Sequence, residues 1–377
     1  MEFRIARGEL AEVVAWAGRA LPARTTVPVL GGLVLSAEPG RLAVSGSDFE
    51  TAARAGTDAE VAVPGRVLVL GRRLLDICRV LPDGPVSCAL EGNRFTVEAG
   101  GTRFGLSTLP YEEYPAPPAA PAPYGEVDAA AFATAVGQVA VAAGRDDTLP
   151  VLTGVQLRFD GEEMTLSASD RYRYAVRGLP WRPAGADGEA EAVEVLLPAR
   201  RLLEVARALG KCGGLRILLD PASAQGTAAV GFEGGDTRAV LRRLEGRLPG
   251  YGALFDVAGA AVAEAECAAL AEAVRRVAVV ADGNSPVRLD FSAAEGSLLV
   301  RAGYGDDVAT QRLPVALNGA EEVTVAFNPS YLLDALNSFE SPELRLEMLG
   351  AGQRVLLGAG GTESAHRHLL MSVKQLV

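Results

Sequence analysis

Lysine is almost missing from this chain of 377 residues: among 36 lysines and arginines, only Lys211 and Lys374 are lysine. With Ala, Gly and Pro abundant, the bias reads as GC-rich coding and not as selection for guanidinium chemistry. Histidine is limited to His366 and His368, both near the C-terminus. No Ser/His/Asp set, HExxH pair or Walker loop is present, so the common hydrolytic, zinc-peptidase and nucleotide-binding signatures are excluded. The four cysteines, Cys78, Cys88, Cys212 and Cys267, show no CxxC spacing and no clustered histidine. They read as free thiols in a reducing compartment, with no metal or cofactor implied. Net positive charge is lacking too. At −11 the chain is a poor candidate for simple electrostatic binding to nucleic acid, unless a basic face is segregated from an acidic one. No apolar run is long enough to span a bilayer: "AAAFATAVGQVAVAAG" (Ala129 to Gly144) is Ala-rich and interrupted by Gln138. The opening "MEFRIARGEL" has no signal pattern. A soluble, cytoplasmic protein without a membrane partner is expected.

What the chain has instead is repetition. "TVPVLGGLVL" (Thr26 to Leu35) returns as "TLPVLTGVQL" (Thr148 to Leu157). "LAVSGSDFETAAR" (Leu42 to Arg54) is answered by "MTLSASDRYRYAVR" (Met164 to Arg177). A weaker third copy begins near Pro286. A period this long means duplicated domains and not a solenoid. The composition, 49% hydrophobic and 22% charged, supports sizeable cores. Each copy has the same order: a short alternating strand, a helix, two strands around a Gly or acidic turn, a second strand-to-helix unit, and closing strands. The second helices are expected in "LGRRLLDICRVLP", "PARRLLEVARALG" and "FNPSYLLDALNSFE", the last opened by Asn328 as N-cap and Pro329 at the first helical position. "GYGDD" (Gly303 to Asp307) reads as a hairpin turn, and "GAGG" (Gly358 to Gly361) as a turn. Proline-rich "YPAPPAAPAPYG" (Tyr114 to Gly125) is a stiff linker by composition. The expected domains are 1–123, 124–253 and 254–377.

These repeats, together with "VPVLGG", "RDDTLPVLTG", "SASDRYR", "GRLPGY", "FNPSYLLDAL" and the terminal "LLMSVK", resemble the bacterial DNA polymerase sliding-clamp family over essentially the whole chain. No one of these motifs is specific alone; their order on a triple repeat is. The resemblance implies an α+β fold of three tandem clamp domains, each made of two strand-helix-three-strand halves. It implies a head-to-tail homodimer whose ring encircles duplex DNA. Such a ring is a processivity factor and not an enzyme. It tethers the polymerase catalytic subunit and other proteins that carry a clamp-binding motif, and a separate ATP-driven loader opens it. DNA-facing positions are then Arg24, Arg72, Arg73, Arg79, Arg200, Arg201, Arg207, Lys211, Arg275 and Arg276; singly, each also suits an ordinary solvated helix face. The ring interface falls to Phe104 and Leu106 against Ala278 and Val279.

The same resemblance implies a partner-peptide groove. It is carried by Leu152, Ser169, Arg171, Tyr172, Arg173 and Tyr174, by Pro249 and Leu254, by Asn328 and Tyr331, and by Leu369, Leu370, Met371, Ser372 and Val373. Its apolar floor is expected from Leu152, Leu254, Leu370 and Met371, although core packing explains such residues equally well. The family commonly ends in Tyr-Arg-Tyr-Leu-Leu-Met-Pro-Val-Arg, and here the tail reads "HRHLLMSVKQLV". His366, His368, Ser372 and Lys374 are therefore expected against the groove, with Ser372 loosening the tail. This leaves an alternative open: a duplicate clamp that confers resistance to a groove-binding antibiotic by target replacement. A more remote alternative is an enzyme with unrecognised residues.

Overall fold

The computed structural model describes residues 1–185, 192–221, 229–281, 285–361 and 364–374. Among them are six α-helices: α1 (Arg7–Ala17), α2 (Gly71–Val80), α3 (Ala129–Ala140), α4 (Ala199–Leu209), α5 (Cys267–Val277) and α6 (Pro329–Asn337). Each repeat thus supplies two helices, as the sequence pattern predicts. In α4 the buried Leu202, Val205, Ala206 and Leu209 recur at helical spacing, while Arg200 and Arg207 stay in solvent. α2 buries Leu74, Ile77 and Cys78 in the same way. At the start of α6, Asn328 Oδ1 accepts hydrogen bonds from the amides of Ser330 at 2.9 Å and Tyr331 at 3.4 Å, the expected cap. The hairpin at Gly305 and Asp306 joins Ser297–Tyr304 to Asp307–Pro314. The "GAGG" turn begins later than expected, because Gly358 is still inside the strand Arg354–Ala359 and pairs with Arg345.

Contacts divide the chain into two units. The first holds residues 1–129, 183–185 and 211–243. Its strands form a continuous antiparallel sheet in which Thr237–Arg242, from the second repeat, pairs with Thr51–Asp58 of the first. The helices α1 and α2 lie against each other, and α1 packs against Thr51–Asp58 and Arg41–Ser47.

The second unit holds most of 130–210 and the described residues from 244 onward. Here a nine-stranded sheet runs from Val193–Pro198 through Gly154–Asp160, Glu163–Ser169, Arg173–Pro180 and His366–Met371 to Arg354–Ala359 and beyond. The C-terminal strand His366–Met371 inserts between Arg173–Pro180 and Arg354–Ala359, with Leu370 opposite Arg173 and Val355. It therefore joins the second repeat to the third. A four-stranded sheet ends in Asp307–Pro314, which has one neighbour among the described strands.

Candidate peptide groove and nucleic-acid interface

The groove starts at a tight turn. Asp170 Oδ1 accepts from the amides of Tyr172 and Arg173, both at 3.1 Å, and Arg171 takes φ +81° to close the loop. Ser169 Oγ donates to the Arg173 carbonyl at 2.8 Å. The Arg173 side chain turns inward and is 4% exposed. Its Nε donates to Asp170 at 3.0 Å and its Nη1 to Asp334 at 2.8 Å, and its guanidinium lies 4.3 Å from the centre of the Tyr331 ring. Tyr331 is desolvated there, and its phenol is pushed up from the ordinary value. Tyr172 stays outside, 59% exposed, with its ring 6.1 Å from that of Tyr331.

Beyond the turn the strand presents Tyr174. Its hydroxyl donates to the Pro249 carbonyl at 3.0 Å. Its ring packs with Tyr251, Phe255 and Leu369, with Leu254 half-buried beside them. The opposite wall is the tail strand: the Met371 amide donates to the Tyr172 carbonyl at 2.8 Å, and the Val373 amide to Ala326 at 2.8 Å. Tyr172, Met371 and Val373 are the exposed apolar groups of this patch, and Leu152, Asn328 and Tyr331 are half-buried. The patch is an apolar surface on a rigid, hydrogen-bonded frame, suited to hold a peptide's apolar anchors.

Three expectations about the tail are corrected. Leu370 is 1% exposed in the core of the third repeat, with Leu357 and Leu346, and is not groove floor. His366 and His368 are also buried, at 2% and 0%. Side chains alternate along a strand, so 366, 368 and 370 share one face while Leu369 and Met371 take the other. His366 Nε2 lies 2.8 Å from Ser338 Oγ, its Nδ1 lies 3.2 Å from the Val176 carbonyl, and its ring packs on Phe339. His366 sits at the C-terminal end of α6, and His368 lies fully buried next to it, its ring 6.3 Å from that of His366. Nor is the tail loosened at Ser372. Its amide donates to the Gln353 carbonyl at 3.0 Å, its Oγ accepts from the Gln353 amide at 3.1 Å, and that hydroxyl reaches Gly350 O at 3.3 Å.

Of the expected DNA-facing residues, Arg201 is half-buried and the others are exposed. In α2, Arg72 Nη2 donates to the carbonyls of Pro22 and Ala23, at 3.0 and 2.9 Å, which holds the loop carrying Arg24. One acid per helix pairs with its arginines: Asp76 with Arg79, Glu204 with Arg200 and Arg201, Glu272 with Arg275 and Arg276. Arg24, Arg73, Arg207 and Lys211 make no ion pair among the described residues. The exposed faces of α2, α4 and α5 are thus net cationic. That of α1 carries Glu9 and Glu12 instead, and α6 has no basic residue. Segregation of this kind is what a chain of net charge −11 needs to approach phosphates.

Phe104 and Leu106 are half-buried on one face of Thr102–Leu109. That strand pairs with Arg94–Ala99 from Thr102 to Ser107, but on its other side, among the described residues, it pairs only at Thr108 and Leu109. It therefore offers a free edge. In the second unit, Val279 is 83% exposed and Ala278 half-buried just after α5. Sequence reasoning missed Val308, 52% exposed on the edge strand Asp307–Pro314, and Tyr304, 67% exposed at the end of the strand beside it. It also missed Asp170 and Asp334, which hold Arg173. The recurrence of Asp48 as Asp170 was the available signal for the first of these.

Among the described residues no cluster of His, Cys, Asp and Glu is arranged to hold a metal, and no helix is long and apolar enough to cross a membrane. The four thiols are free; burial pushes Cys78 up to about 11 and Cys88 further in the same direction, which makes both poor nucleophiles.

Known proteins resemble the chain along its whole length. Residues 1–118, 126–250 and 254–373 match, in order, the models for the N-terminal, central and C-terminal domains of the DNA polymerase III beta subunit. The beta sliding clamp of Streptomyces coelicolor is 46% identical over 380 residues, covering 99% of both chains. A protein of Streptomyces muensis named beta sliding clamp homolog GriR is 40% identical over the same span, again with 99% of each covered. The crystal structure of the DNA polymerase III subunit beta from Pseudomonas aeruginosa superposes with a TM-score of 0.89 at 25% identity, covering 100% of each chain. Three domain models in register and relatives of this closeness leave one conclusion: the chain belongs to the DNA polymerase III beta subunit family and is a sliding clamp, a processivity factor of DNA replication.

Proposed function

We propose that two copies of this chain join head to tail, first domain to third, into a ring around duplex DNA. The observation that carries this reading is the segregation of charge: arginines occupy the exposed faces of α2, α4 and α5 in a chain that is acidic overall. Contacts of that kind are to phosphates, diffuse and blind to sequence, which suits a body that must slide. Retention is then topological and not a matter of affinity. The patch around Tyr172, Leu254 and Met371 takes a peptide from the replicative polymerase or another partner, and a separate ATP-driven loader opens the ring. The protein works in the cytoplasm and does no covalent chemistry. The decisive test loads the protein on nicked circular DNA and raises the salt. The circle keeps its protein at a salt concentration that abolishes simple electrostatic binding, and cutting it once with a restriction enzyme releases the protein. Equal loss from circular and linear DNA sinks the proposal.

A second reading, a duplicate clamp that escapes a rigid groove-binding antibiotic, now rests on Ser372 and Lys374 alone. The bonds of Ser372 to Gly350 and Gln353 support it, because they give this wall a shape that a proline would not.

A further inference from the structure

The groove between the second and third repeats has a counterpart between the first and second, written by the same repeated sequence. Thr51 faces Leu241 as Arg173 faces Leu370. The turn is duplicated: Asp48 Oδ1 accepts from the amides of Glu50 at 3.2 Å and Thr51 at 2.7 Å, as Asp170 does from Tyr172 and Arg173. Phe49 takes φ +72° where Arg171 takes +81°.

Two differences make this junction a distinct site. Ala52 pairs with Ser47 as Tyr174 pairs with Ser169, so alanine stands at the repeat position of tyrosine. The ring of Tyr174 occupies that position at the later junction, packed on Tyr251, Phe255 and Leu369, and the cleft there lies further along the strand, beside Val176 and Arg367. The methyl of Ala52 leaves a cleft of about 570 Å³, walled by Val34, Ser45 and Tyr114. The Tyr114 hydroxyl is pinned by the Ser47 amide at 2.7 Å.

The second difference is charge. Arg54 lies directly opposite Arg238, where the later junction has Val176 opposite Arg367. Like charges in that position repel. The next residue in the row, Glu233, bonds Arg238 and also Arg216, and the guanidinium of Arg54 has no partner among the described residues. In the other direction the row runs from Arg54 through Ser45 to Val34 and Leu68, which cluster with Val29, Leu109 and Tyr114. One line across the sheet is therefore apolar at one end and under-neutralised cation at the other. The lining's carboxylates, Glu38 and Glu112, are both exposed.

We propose that this cleft binds a short extended segment of a partner protein, with an apolar side chain and, about three residues along, a carboxylate. Adjacent strands are about 4.8 Å apart, so Val34 and Arg54 lie about 10 Å apart in the row. A polyproline II segment, at about 3.1 Å per residue and three residues per turn, covers that distance in about three residues and turns both side chains to the same side. The apolar side chain packs beside Tyr114, and the carboxylate is taken by Arg54 and Arg238 as a charge-assisted pair.

Fluorescence polarisation with two labelled Gly/Ser peptides tests this. One carries a Phe and, three residues on, a Glu; the other has Lys in place of Glu. The full chain binds the Phe/Glu peptide at least tenfold more tightly than the Phe/Lys peptide. Arg54→Glu inverts that preference. Ala52→Tyr, which places a ring where this cleft has a methyl, abolishes binding of both. A polymerase-tail peptide, bound at Tyr172 and Met371, is unaffected by either change; its failure to bind at all would count against the proposed partner groove and not against this cleft. Equal binding of the two peptides, no binding at millimolar peptide, or a preference that survives Arg54→Glu overturns the proposal. So does undiminished binding by a folded Ala52→Tyr variant, which would put the peptide elsewhere.

Discussion

Arg173 and Asp334 join the second repeat to the third: the guanidinium Nη1 lies 2.8 Å from the carboxylate Oδ2, with the arginine 4% exposed. Because Asp170 holds the same guanidinium, the two carboxylates are not equivalent to their shared arginine when changed. Asp334→Asn weakens one charge-assisted bond at a side chain about a third exposed, and is expected to cost about 1 kcal/mol. Arg173→Ala leaves Asp170 buried without its cation and is expected to cost about 3 kcal/mol. Urea unfolding of the two variants checks the ratio; equal losses would mean that the arginine is not the hub.

Acidification acts on the neighbouring strand, His366–Met371, whose residues 366, 368 and 370 share the face of Arg173. Burial pushes His366 down to about 4, and His368 moves well down for the same reason, with the nearby arginines Arg177 and Arg173 acting in the same direction. In the unfolded chain both titrate near 6.5. Below that pH the unfolded state takes up protons that the folded state refuses. The stability tied to the neutral rings is therefore full above about 6.5 and is lost as the pH falls toward about 4. His366 alone accounts for about 2 kcal/mol between pH 7.5 and 5. Urea midpoints at the two pH values measure it.

His368 has both ring nitrogens buried without a hydrogen-bond partner among the described residues. An apolar ring of similar size removes that penalty, so His368→Phe is expected to stabilise the fold at pH 7.5 by about 1 kcal/mol and to flatten the acid slope. A destabilised His368→Phe variant in thermal melts would show that the nitrogens are satisfied in solution.

Leu106→Asp should abolish the dimer. The residue is half-buried on a strand with a free edge, and in the closed interface a carboxylate there is desolvated without a partner. Sedimentation velocity at micromolar protein should give a monomer with unchanged circular dichroism. An intact dimer rules out this edge as the ring contact.

The tail substitutions separate by position: His366 and His368 lie within the strand, and Ser372 and Lys374 beyond its end. Ser372→Pro with Lys374→Arg is expected to raise the affinity of a rigid cyclic groove inhibitor about tenfold, equivalent to about 1.4 kcal/mol. A linear polymerase-tail peptide, which adapts to the wall, changes less. His368→Tyr has no effect on either ligand, because its side chain is fully buried. Calorimetry that gives the same inhibitor affinity before and after the Ser372 and Lys374 changes removes the resistance reading.

Much of the architecture is local and was legible without coordinates. The triple repeat, the paired helices of each repeat, the Asn328 cap and the hairpin at Gly305 follow from periodicity, capping and turn chemistry, which act over a few residues. The arginine faces of α2 and α4 were legible for the same reason, since a helical period assigns each residue a side. The strand His366–Met371 was different. Alternation sorts it into 366, 368, 370 and 367, 369, 371, but nothing within the strand says which set meets the core. That was decided by α6 and the third-repeat core covering one face, and by Tyr174, Phe255 and Val257 packing on the other. The union of Thr51–Asp58 with Thr237–Arg242, and the cleft left open by Ala52, depend likewise on residues nearly two hundred positions apart. Sequence by itself determined which elements form and which residues share a side. Only the tertiary structure decided which side faces a partner, because burial is a property of what packs against a strand and not of the strand.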